Sequence, residues 1–184
     1  MSENNPILQV KDLTVSFNAF AGKVQAVRGV SFDLNKGETL CIVGESGSGK
    51  SVTNKAIMGI LSKNAVIDRG EILYDGMDLT KLTEEQFCQI RGKRIAMVFQ
   101  DPLSALNPIM KVGKQITETL CVHQKLSHEQ AKKRALELMA AVGIPEPEKR
   151  FNQYPFQFSG GMRQRIVIVI ALACNPEILI CDEP

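Results

Sequence analysis

Polar and apolar positions alternate along much of the first 40 residues. Leu13, Val15 and Phe17 alternate with Thr14 and Ser16, and Val30, Phe32 and Leu34 alternate with Ser31 and Asp33, the period of half-buried strands. Asn35-Lys36-Gly37 supplies a turn. Thr39-Leu40-Cys41-Ile42-Val43 then runs without interruption, as a strand buried on both faces does. This order predicts a small antiparallel sheet leading into a parallel core. A helix is expected from near Lys50 to Leu61, a hairpin where Glu71-Ile72-Leu73-Tyr74 meets Asp75-Gly76, and a strand from Ile95 to Phe99. Thr83-Glu84-Glu85-Gln86 and Ser127-His128-Glu129-Gln130 are capping boxes that open helices. After the second, Ala131, Ala135, Leu138, Met139 and Val142 share one helical face, and Gly143 with Pro145 closes it. Lys132-Lys133-Arg134 reads as the solvated face of that helix. Ile166-Val167-Ile168-Val169-Ile170 is β-branched throughout, and propensity alone predicts a strand there.

Composition narrows the class. The 184 residues are 44% hydrophobic and 23% charged, which suits one folded domain and excludes disordered or fibrous chains. Twenty-two basic against 20 acidic residues leave a net charge of +2, too little for a nucleic-acid field, so no nucleic-acid partner is expected. The longest apolar run, Ile166 to Cys174, is too short for a bilayer span. The polar, acidic opening Met1-Ser2-Glu3-Asn4-Asn5-Pro6 does not read as a secretory signal. Cys41, Cys88, Cys121, Cys174 and Cys181 show no paired spacing and read as reduced core thiols of a cytosolic chain.

Three segments carry chemistry. Gly44-Glu45-Ser46-Gly47-Ser48-Gly49-Lys50-Ser51 follows an apolar run and precedes a helix. Its glycines let backbone N–H groups curl around an anion at a helix N-terminus; Lys50 can reach the outer phosphates of a nucleoside triphosphate and the Ser51 hydroxyl can ligate Mg2+. A chance glycine-rich turn is the plainer alternative. Glu177-Ile178-Leu179-Ile180-Cys181 ends in Asp182-Glu183. The first carboxylate can hold a metal and the second can orient an attacking water as general base; two solvated acids at a strand exit is the alternative. Phe158-Ser159-Gly160-Gly161-Met162-Arg163-Gln164-Arg165 opens a helix with consecutive N–H groups, a second anion site or an ordinary N-cap. Two such sites in one chain suggest that one serves a partner's nucleotide.

Gly44 to Ser51, Gln100 at a strand end, Ser159-Gly160-Gly161 and Asp182-Glu183, in this order, resemble an ABC-transporter ATPase over essentially the whole chain. Gly44 through Ser51 with Val52, Phe99-Gln100-Asp101-Pro102, Leu106-Asn107-Pro108, and Ser159-Gly160-Gly161-Met162-Arg163-Gln164-Arg165 are similar to its peptide and nickel importer branch. Met162 is usual in that branch, whereas Phe156 and Phe158 stand where it mostly has His and Leu.

The resemblance implies an α/β P-loop ATPase core with an N-terminal antiparallel β subdomain and an inserted helical subdomain. Within one domain over 1–184, it places the β subdomain and phosphate-loop core at 1–100, the helical subdomain at 101–158, and the signature helix with the acidic strand at 159–184. It turns Ile166–Ile170 into a buried helix against propensity. ATP and Mg2+ are the implied cofactors. Gly44, Glu45, Ser46, Gly47, Ser48, Gly49, Lys50, Ser51 and Val52 would hold nucleotide in one subunit, with Ser159, Gly160, Gly161 and Met162 acting in trans from a head-to-tail partner. Ser51, Gln100 and Asp182 would serve Mg2+, Glu183 would be the general base, and Lys50 and Gln100 would complete the catalytic set. Phe17 corresponds to the aromatic that stacks on adenine, with Phe20 a second candidate and a plain core role the alternative. The implied partners are two transmembrane permease subunits, a second ATPase subunit and, indirectly, an external solute-binding protein. The implied location is peripheral, on the cytoplasmic face of the membrane. In the family, a strand between those of Ile42 and Leu179, and a γ-phosphate-sensing His, follow Asp182-Glu183-Pro184. The C-terminal part of the core sheet is therefore expected to be missing and the 184-residue chain alone to be inactive. A catalytically silent nucleotide-binding remnant is the competing reading; an ABC ATPase of soluble function fits Gln100-Asp101-Pro102 and Leu106-Asn107-Pro108 less well.

Overall fold

The computed structural model describes residues 6–20 and 22–183, so Met1 to Asn5, Ala21 and Pro184 lie outside the described residues. The chain divides into two compact units, Met1–Cys88 and Gln89–Pro184.

The first unit is built on a four-stranded antiparallel sheet. Its strands β1 (Leu8–Ala19), β2 (Gly22–Leu34), β3 (Ala65–Tyr74) and β4 (Met77–Asp78) lie in the order β2-β1-β3-β4. The buried positions of β1 change phase, from Leu8 and Val10 to Leu13 and Val15. A bulge between Lys11 and Thr14 absorbs the change. Asp12 takes a left-handed φ of 48° there, opposite Gly70, where a Cβ would sit 2.5 Å from the Lys11 carbonyl oxygen. The Asp12 carboxylate is held by Arg69 at 2.8 Å. Being central, β1 buries Thr14 and Ser16 as well as its apolar residues, and the Ser16 hydroxyl donates to Asp68 at 2.5 Å. Lys23 also bonds Asp68, and these two bonds, the lysine's first, hold that carboxyl below its ordinary range. The alternation expected of β2 carries less burial: it is an edge strand with only Val27 buried, and Val30 is exposed.

Helix α1 (Lys50–Ile57) buries Thr53, Ala56 and Ile57 and ends before Leu61. The hairpin between β3 and β4 turns at Asp75 and Gly76, both at positive φ, as the Asp-Gly pair predicts. Thr83 and Gln86 bond reciprocally at the start of α2 (Glu84–Ile90). One expected strand is not formed. Thr39 to Val43 belongs to no ladder, with Leu40 and Ile42 each 41% and Val43 88% exposed. An apolar run becomes a strand only against a strand that accepts its N–H and C=O groups, and none among the described residues pairs with this segment.

The second unit pairs β5 (Ile95–Val98) in parallel with β6 (Ile178–Cys181), from Ile95 opposite Ile178 to Val98 opposite Cys181. Between them run the short helix α3 (Pro102–Ala105), then α4 (Val112–Gln124), α5 (His128–Ala141), α6 (Pro147–Phe151) and α7 (Gly160–Leu172). Ala131, Ala135 and Met139 of α5 are buried against Ile116 and Leu120 of α4 and Ile166 and Val169 of α7. Ser127 and Gln130 form the expected capping box. The β-branched run Ile166 to Ile170 is helical, as the resemblance and not the propensity implied. The penalty for β-branched residues in a helix is at most about 0.7 kcal/mol each, whereas burying such a side chain returns about 1.5–3 kcal/mol. Ile166, Val167 and Val169 are buried, so packing decides the conformation. The five thiols are free, but only Cys174 is buried; Cys121 is half-buried and Cys41, Cys88 and Cys181 are exposed, so the core-thiol expectation holds for Cys174 alone. Burial pushes the Cys174 thiol up, against the opposing charge of Lys93.

Gly113 offers a test of this packing. A Cβ there would lie 2.4 Å from the Phe151 ring of α6. Alanine gains at most about 1 kcal/mol of helix propensity, while overpacking costs about 1–3 kcal/mol. Gly113→Ala is therefore expected to lower the melting temperature, and Phe151→Leu in the same chain to recover part of the loss.

Candidate functional site

The phosphate loop and Phe17 belong to the first unit. Gly47 and Gly49 sit at φ 81° and 96°, and Gly49 is the N-cap of α1. A Cβ on Gly49 would meet the Ala26 carbonyl oxygen at 2.6 Å, so neither its dihedral nor its surroundings admit a side chain. On Gly44 the corresponding atom would meet the Ser48 hydroxyl at 2.6 Å, the movable tip of a side chain. The buried Thr53 hydroxyl donates to the Gly49 carbonyl at 3.0 Å, tying the loop's last peptide to the helix. Lys50 folds back over the loop, its Nζ donating to the carbonyl oxygens of Gly44 at 2.8 Å and Glu45 at 2.9 Å. The ammonium thus lies across the loop's opening, where the anion's charge would be. Ser51 follows in the first turn of α1, with Val52 beside it. Phe17 is half-buried in β1, opposite Val24 and Ala65, whereas the Phe20 side chain is fully exposed.

Gln100, Asp182, Glu183 and the Ser159 segment belong to the second unit. Parallel strands β5 and β6 deliver Gln100 and Asp182-Glu183 to the same, carboxyl edge, where ligands of parallel sheets bind. Asp182 is only 7% exposed, and its amide donates to the Val98 carbonyl at 3.0 Å. Glu183 takes a left-handed φ of 50°, and the Gln100 side-chain amide donates to its carboxylate at 2.6 Å. The structure therefore brings Gln100 and Glu183 together. Asp101 caps α3, accepting from the amides of Leu103 at 2.9 Å and Ser104 at 3.2 Å.

Ser159 is the N-cap of α7, accepting from the Met162 amide at 3.4 Å. Gly160 and Gly161 form the exposed first turn, and a Cβ on either would meet nothing within 4 Å. Phe158 is buried, while Phe156 is exposed and stacks on Tyr154 with ring centroids 5.7 Å apart. Three supports escaped the sequence reading. Arg163 donates to the carbonyls of Pro155 at 2.8 Å and Phe156 at 3.4 Å, fixing the turn before Ser159. Gln115 bonds Asn107 and Met110 and so holds the Leu106-Asn107-Pro108 loop. Ala26 contributes only its carbonyl to the approach at Gly49. A backbone contact leaves no residue-type signal; Arg163 and Gln115 became legible only once the turns they satisfy were known.

Among the described residues no group of three or more His, Cys, Asp or Glu could hold an ion. The Ser51 hydroxyl in the first unit and the Asp182 carboxylate in the second are each oxygen donors, the type that a hard cation such as Mg2+ takes alongside water and phosphate oxygens.

Residues 27–184 match the family model described as ABC transporter. The oligopeptide transport ATP-binding protein OppD of Bacillus subtilis (strain 168) is 62% identical over 179 residues, 97% of this chain and 50% of that protein. The dipeptide transport ATP-binding protein DppD of Lactococcus lactis subsp. cremoris (strain MG1363) is 59% identical, over 97% of this chain and 51% of that protein. A dimeric post-hydrolysis structure of an ATP-binding cassette bound to ADP and Pi superposes with a TM-score of 0.85 at 29% identity, covering 95% of this chain and 73% of that one. This chain spans about half the length of the curated relatives it matches. With its phosphate loop, paired parallel strands and capped glycine helix, the chain belongs to the ABC transporter family and has the fold of its ATP-binding cassettes.

Proposed function

We propose that the protein is the ATP-binding and hydrolysing subunit that powers import of peptides, or a related small solute, through a membrane permease. The observation that carries this is the phosphate loop, with Gly49 held in a conformation closed to side chains and Lys50 laid across the loop's opening. The peptide-transport names of its relatives support the substrate class.

In this reading the amides of Gly44 to Ser51 and the Lys50 ammonium bind the β- and γ-phosphates, and Phe17 stacks on adenine. Ser51, Asp182 and Gln100 would hold Mg2+, which would supply positive charge against the phosphate oxygens. Glu183 accepts a proton from the attacking water, whose oxygen bonds the γ-phosphorus as the bond to the β–γ bridging oxygen breaks, leaving ADP and inorganic phosphate. Gln100 orients Glu183 through its 2.6 Å bond. Ser159, Gly160, Gly161 and Met162 contact the nucleotide of a second ATPase subunit packed head to tail. Functionally, residues 1–100 are the β subdomain and phosphate-loop core, 101–158 the helical subdomain that meets two permease subunits, and 159–184 the signature helix and acidic strand. A solute-binding protein on the far side completes the system. No described helix is long and apolar enough to cross a membrane, which fits peripheral attachment at the cytoplasmic face. The second reading, a nucleotide-binding remnant without turnover, draws on the exposure of Leu40, Ile42 and Val43.

In the protein expressed from its intact gene, Lys50→Ala is expected to lower ATP turnover about a hundred- to a thousandfold, as removal of one preorganised charge donor does. ATP binding by the unaltered protein with no Lys50-dependent phosphate release would favour the remnant. Glu183→Gln is expected to slow hydrolysis about a hundred- to ten-thousandfold while keeping ATP bound. On size-exclusion chromatography with ATP that variant should run as a dimer, and a persistent monomer would refute the head-to-tail arrangement.

A further inference from the structure

The second unit holds a cavity that the ATP chemistry does not use. It lies among α4, α5 and α6, with a volume of ≈ 540 Å3, within the range of small-molecule sites. Cys121, Val122 and Phe151 give it apolar walls. Val122 is 65% exposed, so the cavity opens to solvent on that side.

Its lysines outnumber its acids. Lys111 and Lys114 line it from the start of α4 and Lys132 from α5, against one acid, Glu118. None of the three lysines forms an ion pair among the described residues. Lys132 instead lies over the Phe151 ring, 5.9 Å from its centroid. Within the exposed run Lys132-Lys133-Arg134, Arg134 pairs with Glu137, while Lys132 lines the mouth of the cavity. Lys93 and His123 lie outside the lining; His128 lines it, and its Nδ1 is 4.0 Å from the Cys121 sulfur.

We propose that this cavity binds a small amphipathic carboxylate, an apolar body against Phe151, Cys121 and Val122 with its head among Lys111, Lys114 and Lys132. An apolar wall alone would admit any hydrocarbon; three lysines around it select a negative head. Glu118 on the same lining favours a singly charged carboxylate over a phosphate dianion.

Cys121 reports occupancy directly. In the protein expressed from its intact gene, alkylation of Cys121 by iodoacetamide is followed by peptide mass spectrometry, with exposed Cys88 as internal reference. Decanoate should slow alkylation of Cys121 saturably and leave Cys88 unchanged, whereas decanol, equal in chain length and uncharged, should protect poorly. The Lys114→Glu, Lys132→Glu double variant should need at least about tenfold more decanoate, the loss expected when a charge-assisted contact is removed. Equal protection by decanol, protection of Cys88 to the same degree, no protection of Cys121, or an unchanged decanoate requirement in the variant would each overturn the proposal. ATP turnover does not enter the readout, so failure here is distinguishable from failure of the ATPase reading.

Discussion

The approach of Gly49 to the Ala26 carbonyl is the constraint on which the first unit's chemistry depends. A Cβ at 2.6 Å from a backbone oxygen cannot be accommodated by rotating a side chain away, and φ at 96° already excludes most residues. Because Gly49 satisfies both conditions, α1 can begin directly against β2. The Thr53 amide and hydroxyl then both bond the Gly49 carbonyl, at 2.9 and 3.0 Å, so the first turn is closed twice at one atom. Lys50 and Ser51 take their positions from that turn. The Lys50 ammonium rests on two neutral carbonyl oxygens, and a phosphate oxygen offers it a stronger, charge-assisted bond.

The second unit depends on α7 in a comparable way. Its N-terminus is set by Ser159 and by Arg163, which reaches back to the preceding turn. Its middle is apolar on every side and is buried by α4, α5 and β5. Its partners fix it elsewhere too: Arg165 donates to the carbonyls of Val142 at 3.2 Å and Gly143 at 3.0 Å, satisfying the end of α5. The segment proposed to contact a partner's nucleotide is thus the tip of a helix whose middle is buried, a rigid mount for such a contact.

What could be read from residue order was whatever is decided locally. The capping boxes at Thr83 and Ser127, the Asp75-Gly76 turn and the glycine spacing of the phosphate loop each act within a few residues, and all form as expected. Thr39 to Val43 failed because strand formation is a pairwise property, and hydrophobicity does not carry the partner with it. Val30 failed because alternation identifies a strand but not whether a layer covers it. Ile166 to Ile170 would have failed by propensity and succeeded only through resemblance, since burial outweighs the β-branched preference. Lys132, Lys133 and Arg134 are exposed as a solvated helix face should be, and only the approach of Lys132 to the Phe151 ring, which comes from another helix, was not legible. At the site, residue types were legible and their supports were not: nothing in the sequence singles out the Ala26 carbonyl or the Gln115 amide.

The glycines separate what the chain requires of itself from what it offers to others. Gly49 and Gly113 are explained within their own units, by Ala26 and by Phe151. Gly160 and Gly161 are not: their φ values are negative and a side chain on either would enter open space. Alanine in that first turn would favour the helix by up to about 1 kcal/mol each. Local stability therefore argues against glycine at both positions, and no packing within the unit requires it. Two glycines where alanine would favour the helix, beside an N-cap serine and helix-terminal amides, fit the proposed close approach by a group from outside the chain. An anionic group is the one those amides would draw. That the chain's own phosphate loop already has its cation and its glycines is a further reason to look for that anion on a second subunit.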